Sequence, residues 1–274
     1  MSRRVRFVTV FMLLACLPAA AHATWSVVAL DRATGRLVIA SATCVSQAGL
    51  TTRGGLKGVQ AIVVPRFGVA AAQAGVDPTG QNQSLIFAEL KKGTHPSQII
   101  QMLMADSAIQ RRQFGILDMR GRFASFSGSG NRAASLAVQG QVPGTEIHYS
   151  IQGNILASNA VVQNAVRAFE ATAGTLTDRV MAAMEAADAA GGDSRCTCAT
   201  TPLPATTKAC TSKTAHVAYI LAADSTNGDG ERFNDGHYDM FIDVHELNTF
   251  PHEDANPVKT LRMRYDAWRA ARRE

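Results

Sequence analysis

Apolar residues along this chain fall into two rhythms, and the rhythms come in blocks. Short β-branched or alternating runs predict strands, and spacing of three to four residues predicts helices. Thr24 to Leu30 and Leu37 to Thr43, joined by Asp31-Arg32-Ala33-Thr34-Gly35-Arg36, predict a hairpin. Strands are expected at Val59 to Val64 and Gly68 to Ala74, turning at Pro65. A helix pair follows: Gln83 to Lys92 carries Leu85, Ile86, Glu89 and Leu90, and Pro96 to Asp106 carries Ile99, Ile100, Leu103 and Met104 on one face. Strands return at Gln113 to Met119 and Arg122 to Ser127, before the glycine-rich loop Ser127-Gly128-Ser129-Gly130-Asn131. Another strand, Ile147 to Gly153, precedes helices at Asn159 to Thr172 and Leu176 to Ala190, the second stopped by Gly191-Gly192. His216 to Ala223 and Tyr238 to Glu246 predict a strand pair bridged by Asn227-Gly228-Asp229-Gly230, and a last helix covers Pro257 to Arg272. This order predicts an α+β fold, with helix pairs covering antiparallel sheets.

Ahead of the first strand the pattern changes. Arg3, Arg4 and Arg6 precede an apolar run of 11 residues, Phe7 to Leu17, then Pro18 and the small-residue segment ending Ala21-His22-Ala23. Such a run is too short to span a bilayer, which takes about 20 residues. With its A-x-A ending it predicts a secretory signal peptide over 1–23 and a single domain over 24–274, periplasmic or secreted. Two rival ends are present: Ala19-Ala20-Ala21 would leave His22 first, and Leu13-Leu14-Ala15-Cys16 loosely matches a lipoprotein signal that keeps Cys16. A cut after Ala23 makes Thr24 the first residue. A threonine with a free α-amine holds both a nucleophile and a base, since an α-amine has a pKa of about 7.7–8.0.

Charge narrows the partners. Three of the five excess positive charges lie in the leader, and the tail from Lys259 to Glu274 carries +4, so the body from Thr24 to Val258 is slightly acidic. A basic face with interleaved aromatics, as nucleic acid requires, is not expected. Stable membrane insertion is not expected either. Of the five cysteines, Cys44, Cys196, Cys198 and Cys210 follow the leader. Cys196 and Cys198 are too close to bridge easily, so one of them is expected to pair with Cys210, stapling a loop at 194–213, while the other reaches Cys44 or stays free. Zinc binding by C-x-C is the less favoured reading in an oxidising compartment.

Several segments together resemble one family. They are Thr24-Trp25-Ser26-Val27-Val28-Ala29 with Asp31 and Gly35, Ala40-Ser41, Ala72-Gln73-Ala74, Ile151-Gln152-Gly153-Asn154-Ile155-Leu156, Ala190-Gly191-Gly192-Asp193-Ser194-Arg195 and the helix opening Asn256-Pro257-Val258. The chain resembles the domain of unknown function 1028 family over nearly all of its length after the leader. The cysteine loop after Asp193-Ser194-Arg195 and the stretch Ala72 to Pro78 depart from the family pattern. The resemblance implies a four-layer αββα sandwich similar to the N-terminal nucleophile (Ntn) hydrolases. In leaderless members, loss of the initiator methionine would bare the equivalent threonine. Peptidoglycan-binding modules on some relatives imply a cell-wall-derived substrate.

The expected chemistry is hydrolysis of an amide in a small molecule or peptide by Thr24. Asn154, an amide beside a glycine turn, is the candidate oxyanion donor. Gln73 and Gln152, at the ends of apolar strands, are candidate substrate ligands, and Ser26 and Ser41 candidates for steering the α-amine. Asp193 and Arg195 are expected to form a structural pair. No cofactor is expected, nor any metal: Asp239, Asp243 and His245 share a strand face near His237 and His252, but in no compact ligand motif. Gly228-Asp229-Gly230 near Asp224 is a poor match to a calcium loop. Ser127-Gly128-Ser129-Gly130 lacks the G-x-S-x-G of a nucleophile elbow. The alternative is a non-catalytic envelope binding protein on the same fold, and self-association is left open.

Overall fold

The computed structural model describes residues 24–272. The predicted leader, its rival cut sites and Cys16 lie outside the described residues. Strands β1 (Thr24–Asp31) and β2 (Arg36–Thr43) form the expected hairpin. Its turn closes where Gly35, at φ 76°, donates its N–H to the Asp31 carbonyl, while the Asp31 carboxylate accepts from Ala33 N and Thr34 Oγ1.

After β2 the chain forms a short helix α1 (Gly55–Gln60), then strands β3 (Ala61–Val64) and β4 (Gly68–Ala74). The expected strand start at Val59 is therefore corrected to Ala61. Leu56, Val59 and Gln60 sit at helical spacing and are all buried, and that spacing outweighs the β-branched Val59. Helices α2 (Gln81–Lys92) and α3 (Pro96–Leu103) form the first pair, followed by β5 (Arg112–Asp118) and β6 (Phe123–Ser127). A strand absent from the sequence reading comes next, β7 (Leu136–Gln141), partly exposed along most of its length. Then come β8 (Ile147–Asn154), the pair α4 (Ala160–Ala171) and α5 (Leu176–Ala189), β9 (Val217–Ala223), β10 (Met240–Val244) and α6 (Pro257–Ala270).

The strands make two antiparallel sheets, ordered β10-β9-β2-β1-β8-β7 and β3-β4-β5-β6. Alternation along β1 divides its side chains between two clusters. Trp25, Val27 and Ala29 pack with Val161 and Phe169 of α4, Val180 and Met184 of α5, and Leu261 and Tyr265 of α6. Val28 and Leu30 face the other way, packing with Val63, Val69 and Leu117 of the smaller sheet. A third cluster joins Ile62, Ala70, Phe114 and Ile116 of that sheet to Ile86 and Leu90 of α2 and Ile99 and Leu103 of α3. The fold is thus mixed α and β, with each sheet carrying helices on one face. None of the described helices is long and apolar enough to cross a membrane.

All four cysteines among the described residues are paired. Cys198 bonds Cys210, and Cys196 bonds Cys44, which directly follows β2. The bonds close sequence separations of 12 and 152 residues respectively. In the chain-entropy account the longer closure restricts the unfolded chain more, by about 2 kcal/mol here. Exchange of Cys44 and Cys196 for serine is therefore expected to lower the urea-unfolding free energy by about that much more than exchange of Cys198 and Cys210.

Candidate functional site

Thr24 opens β1 between two neighbours. Its backbone register sets it opposite Thr43 on β2 and Asn154 on β8. Its side chain is buried, and Oγ1 donates to Thr43 Oγ1 at 3.2 Å. Because opposed residues share a face, Thr24, Ser26, Asn154, Gln152 and Ser150 all look toward the smaller sheet. One half of the space between the sheets is therefore polar, while the half under β2 and β9 is packed with Ile39, Leu37 and Leu221.

The smaller sheet meets this polar column with Gln73 on β4 and Gln113 on β5, which are opposite each other in the ladder. Gln73 is the hub. Its Oε1 accepts from Ser26 Oγ at 2.7 Å and from Gln60 Nε2 at 2.8 Å. Its Nε2 donates to Gln113 Oε1 at 2.7 Å and to the Thr24 carbonyl at 3.2 Å. Gln152 Nε2 donates to Ser26 Oγ and Gln152 Oε1 accepts from Ser150 Oγ, both at 2.8 Å. Asn154 Nδ2 donates to the same Gln113 Oε1 at 3.2 Å, and Gln113 Nε2 returns a bond to the Gly153 carbonyl at 3.0 Å. Tyr219 on β9 closes the far side by donating to Gln60 Oε1; burial pushes that phenol well above its usual range.

Glycine makes the approach possible at one point. A Cβ at Gly115 on β5 would lie 2.2 Å from Gln152 Oε1 and 2.6 Å from Ser150 Oγ, so only a bare backbone admits those two side chains. Among the described residues no buried side-chain polar atom of this amide cluster lacks a partner. A network of neutral groups in which each buried polar atom has a partner is rigid, and a lost bond leaves a buried donor or acceptor less satisfied.

Above Thr24 lies a pocket of only about 10 Å³, room for one water, lined by Thr24, Thr43 and Gln73 and roofed by Val45, Leu50, Leu56, Val59 and Val76. The roof segment begins at Cys44, which is held by its disulfide and by Asp193 Oδ2, an acceptor for Cys44 N–H at 2.9 Å. Asp193 is wholly buried and pairs with Arg195 at 2.8 Å, a structural role as expected. His216 N–H donates to the Thr43 carbonyl at 2.8 Å. Its ring lies within 4.8 Å of both sulfurs of the Cys44–Cys196 bond, but those sulfurs are joined to each other and offer no thiolate. Burial, with Lys213 nearby, pushes the His216 imidazole down to about 4.

Of the candidates read from the sequence, Thr24, Asn154, Gln73, Gln152 and Ser26 meet in one cluster. Ser41 does not join it: its hydroxyl donates to the Trp25 carbonyl at 2.6 Å and ties the hairpin. Gln60, Gln113, Ser150 and Thr43 went unnoticed. A glutamine inside an apolar strand was the available signal for Gln113, as it was for Gln73. Two of the residues weighed for metal are engaged in ion pairs: Asp239 accepts from Arg36 at 2.6 Å and Arg272 at 2.7 Å, while Asp229 pairs with Lys91 at 2.8 Å and with Arg66.

Comparison with known proteins matches the model of a family of unknown function, DUF1028, to residues 24–216. A crystal structure of a DUF1028 protein from Silicibacter pomeroyi is similar in fold, with a TM-score of 0.62 at 22% identity, covering 89% of this chain and 88% of that one. No curated protein matches the chain.

Two measurements check the cluster. Gln73→Leu would strand Gln60 Nε2 and take one bond each from Ser26 Oγ, Gln113 Oε1 and the Thr24 carbonyl, so equilibrium unfolding is expected to show a loss of about 2–4 kcal/mol. His216 also predicts a pH slope. Its folded value lies below the ordinary 6.5, so the unfolded chain binds more protons as pH falls from 6.5 toward 4. Stability is then full above pH 6.5 and declines below it by up to about 1.4 kcal/mol per unit. His216→Gln should flatten that slope between pH 6.5 and 5, leaving the smaller contribution of His148, which burial and Arg32 also push down.

Proposed function

The chain belongs to the DUF1028 family, and from that premise we propose that it is an exported amidohydrolase or peptidase of the N-terminal nucleophile type, with Thr24 as nucleophile. The layer order of helices, larger sheet, smaller sheet and helices reads as a four-layer αββα sandwich of the Ntn-hydrolase kind. The observation that carries the reading is the coincidence at Thr24. The predicted leader ends one residue before it, the central strand β1 begins with it, and it lines a pocket. Two disulfides support export into an oxidising compartment.

In the proposed reaction the freed α-amine of Thr24 takes the proton from Oγ1, which attacks the substrate carbonyl. Threonine's branched Cβ restricts χ1 and keeps oxygen and amine close. Asn154 Nδ2 carries two hydrogens, of which Gln113 Oε1 takes one; the second serves the developing oxyanion. Collapse breaks the C–N bond, the leaving amine departs with the proton, and water then cleaves the acyl ester to release the acid and restore the hydroxyl. Gln73 holds the Thr24 carbonyl, so it positions the nucleophile instead of binding substrate. Ser26 and Gln152 act one step further out, fixing Gln73. The proposed substrate is a small or peptide amide, with peptidoglycan fragments the first class to assay.

A second reading, a binding protein on the same fold, draws on the closed roof over Thr24 and the mutual satisfaction of the amides. Three results separate the two. N-terminal sequencing of the exported protein should begin at Thr24; a start at His22 removes the proposed nucleophile. Thr24→Ala should abolish amide hydrolysis while Thr24→Ser retains part of it. Asn154→Ala should lower kcat by ~10²–10³ with the fold intact.

A further inference from the structure

A second cavity, of about 560 Å³, adjoins the pocket at Thr24. Val59 and Val76 line both, so two aliphatic side chains form the partition. The cavity wall carries three cations, Arg53, Lys57 and Arg232, against one carboxylate, Asp77. Asp77 is fully used: Oδ1 accepts from Thr79 N and Oγ1, and Oδ2 from Asn82 N. Lys57 is used as well, donating to the Asn234 carbonyl at 3.2 Å and lying over the rings of Tyr238 and Phe241. Arg53 and Arg232 are exposed, and among the described residues neither guanidinium has a hydrogen-bond or ion-pair partner.

Gln83 supplies a second kind of group. It lines the cavity at 3% exposure, its Nε2 donates to the Val59 carbonyl at 2.9 Å, and its Oε1 is buried with no partner. An unpaired buried acceptor tied to the backbone of the partition is a site that an incoming amide N–H completes. The cavity thus offers two free guanidinium forks for a carboxylate, with the closed-off Gln83 acceptor in its wall, next door to a hydroxyl proposed for amide attack.

We propose that this cavity anchors the carboxylate end of the substrate, making the substrate class N-acylated amino acids or short peptides with a free C-terminal carboxylate. Arg53 and Arg232 hold the carboxylate, Gln83 takes an amide N–H, and the scissile bond reaches Thr24 once Val59 and Val76 part. This rests on the reading of Thr24 as nucleophile, so the test measures binding apart from turnover.

Titration calorimetry on Thr24→Ala with N-acetyl-dialanine and its C-terminal carboxamide reads the anchor directly. The carboxylate form is expected to bind about tenfold tighter or better. That advantage should shrink with added salt and vanish when Arg53→Gln and Arg232→Gln are combined, two exposed exchanges that leave the core untouched. Equal binding of the two compounds, failure of both to bind at millimolar concentration, or an advantage that survives the double exchange overturns the proposal. Hydrolysis of the same compounds by the native protein is read separately. Carboxylate-selective binding without turnover keeps the anchor and removes Thr24 as nucleophile; turnover without that selectivity keeps Thr24 and removes the anchor.

Discussion

Buried amides bonded to one another, to neighbouring hydroxyls and to backbone carbonyls set the geometry around which the rest of this structure is arranged. Gln73, Gln113, Gln152, Gln60 and Asn154 lie between two sheets with negligible access to water. In that setting an unmade bond costs more than a made one returns, so the spacing and rotation of the two sheets are constrained by hydrogen-bond lengths as well as by packing. The neighbouring half of the same interface, with Leu30, Leu37, Ile39 and Leu221, tolerates small shifts of aliphatic contact. The amide half does not. Gly115 shows how tight the fit is, because even a methyl group there would displace Gln152 and Ser150.

In the proposed reaction that rigidity holds the nucleophile at the start of β1. Thr24 sits between Thr43 and Asn154, and its carbonyl is held from the opposite sheet by Gln73, so its backbone is fixed from three sides. A nucleophile needs such positioning before any substrate arrives. The covering segment from Cys44 to Gln60 is built differently. It consists of short helical turns resting on Val45, Leu50, Leu56 and Val59, and it is anchored at its start by the Cys44–Cys196 bond and the Asp193 carboxylate. Floor and roof of the Thr24 pocket therefore differ in kind, one a closed polar network and the other an aliphatic cover.

Legibility followed the strength of the periodic signal. The hairpin at Thr24, both helix pairs and the β9–β10 pair stood out because their apolar faces repeat over two or more turns or several alternations. β7 escaped notice because an edge strand is buried on fewer sides, and Leu136 to Gln141 mixes Gly140 and two glutamines into its run. Val59 and Gln60 were assigned to a strand because valine favours extended backbone, whereas burial at Leu56, Val59 and Gln60 made the segment helical. In the site, Gln73 and Gln152 drew attention as polar residues in apolar strands, and Gln113 carried the same signal. Ser41 had the same local appearance as Ser26, yet one bonds a neighbouring carbonyl and the other joins the amide cluster.

The sequence by itself determined most element types, though not α1 or β7, the antiparallel pairing of the first hairpin, and the expectation that Thr24 stands where a predicted leader ends and a strand begins. These follow from local rules: alternation, helical spacing, turn residues and the composition of an export signal. Only the tertiary structure decided which cysteine met Cys44, which glutamines touched, and that Arg53 and Arg232 stand unpaired beside the partition of the Thr24 pocket. Gln73 and Gln113 are 40 positions apart and Cys44 and Cys196 are 152, and no local periodicity encodes a distance between two sheets; it emerges when the buried groups of both must be satisfied at once.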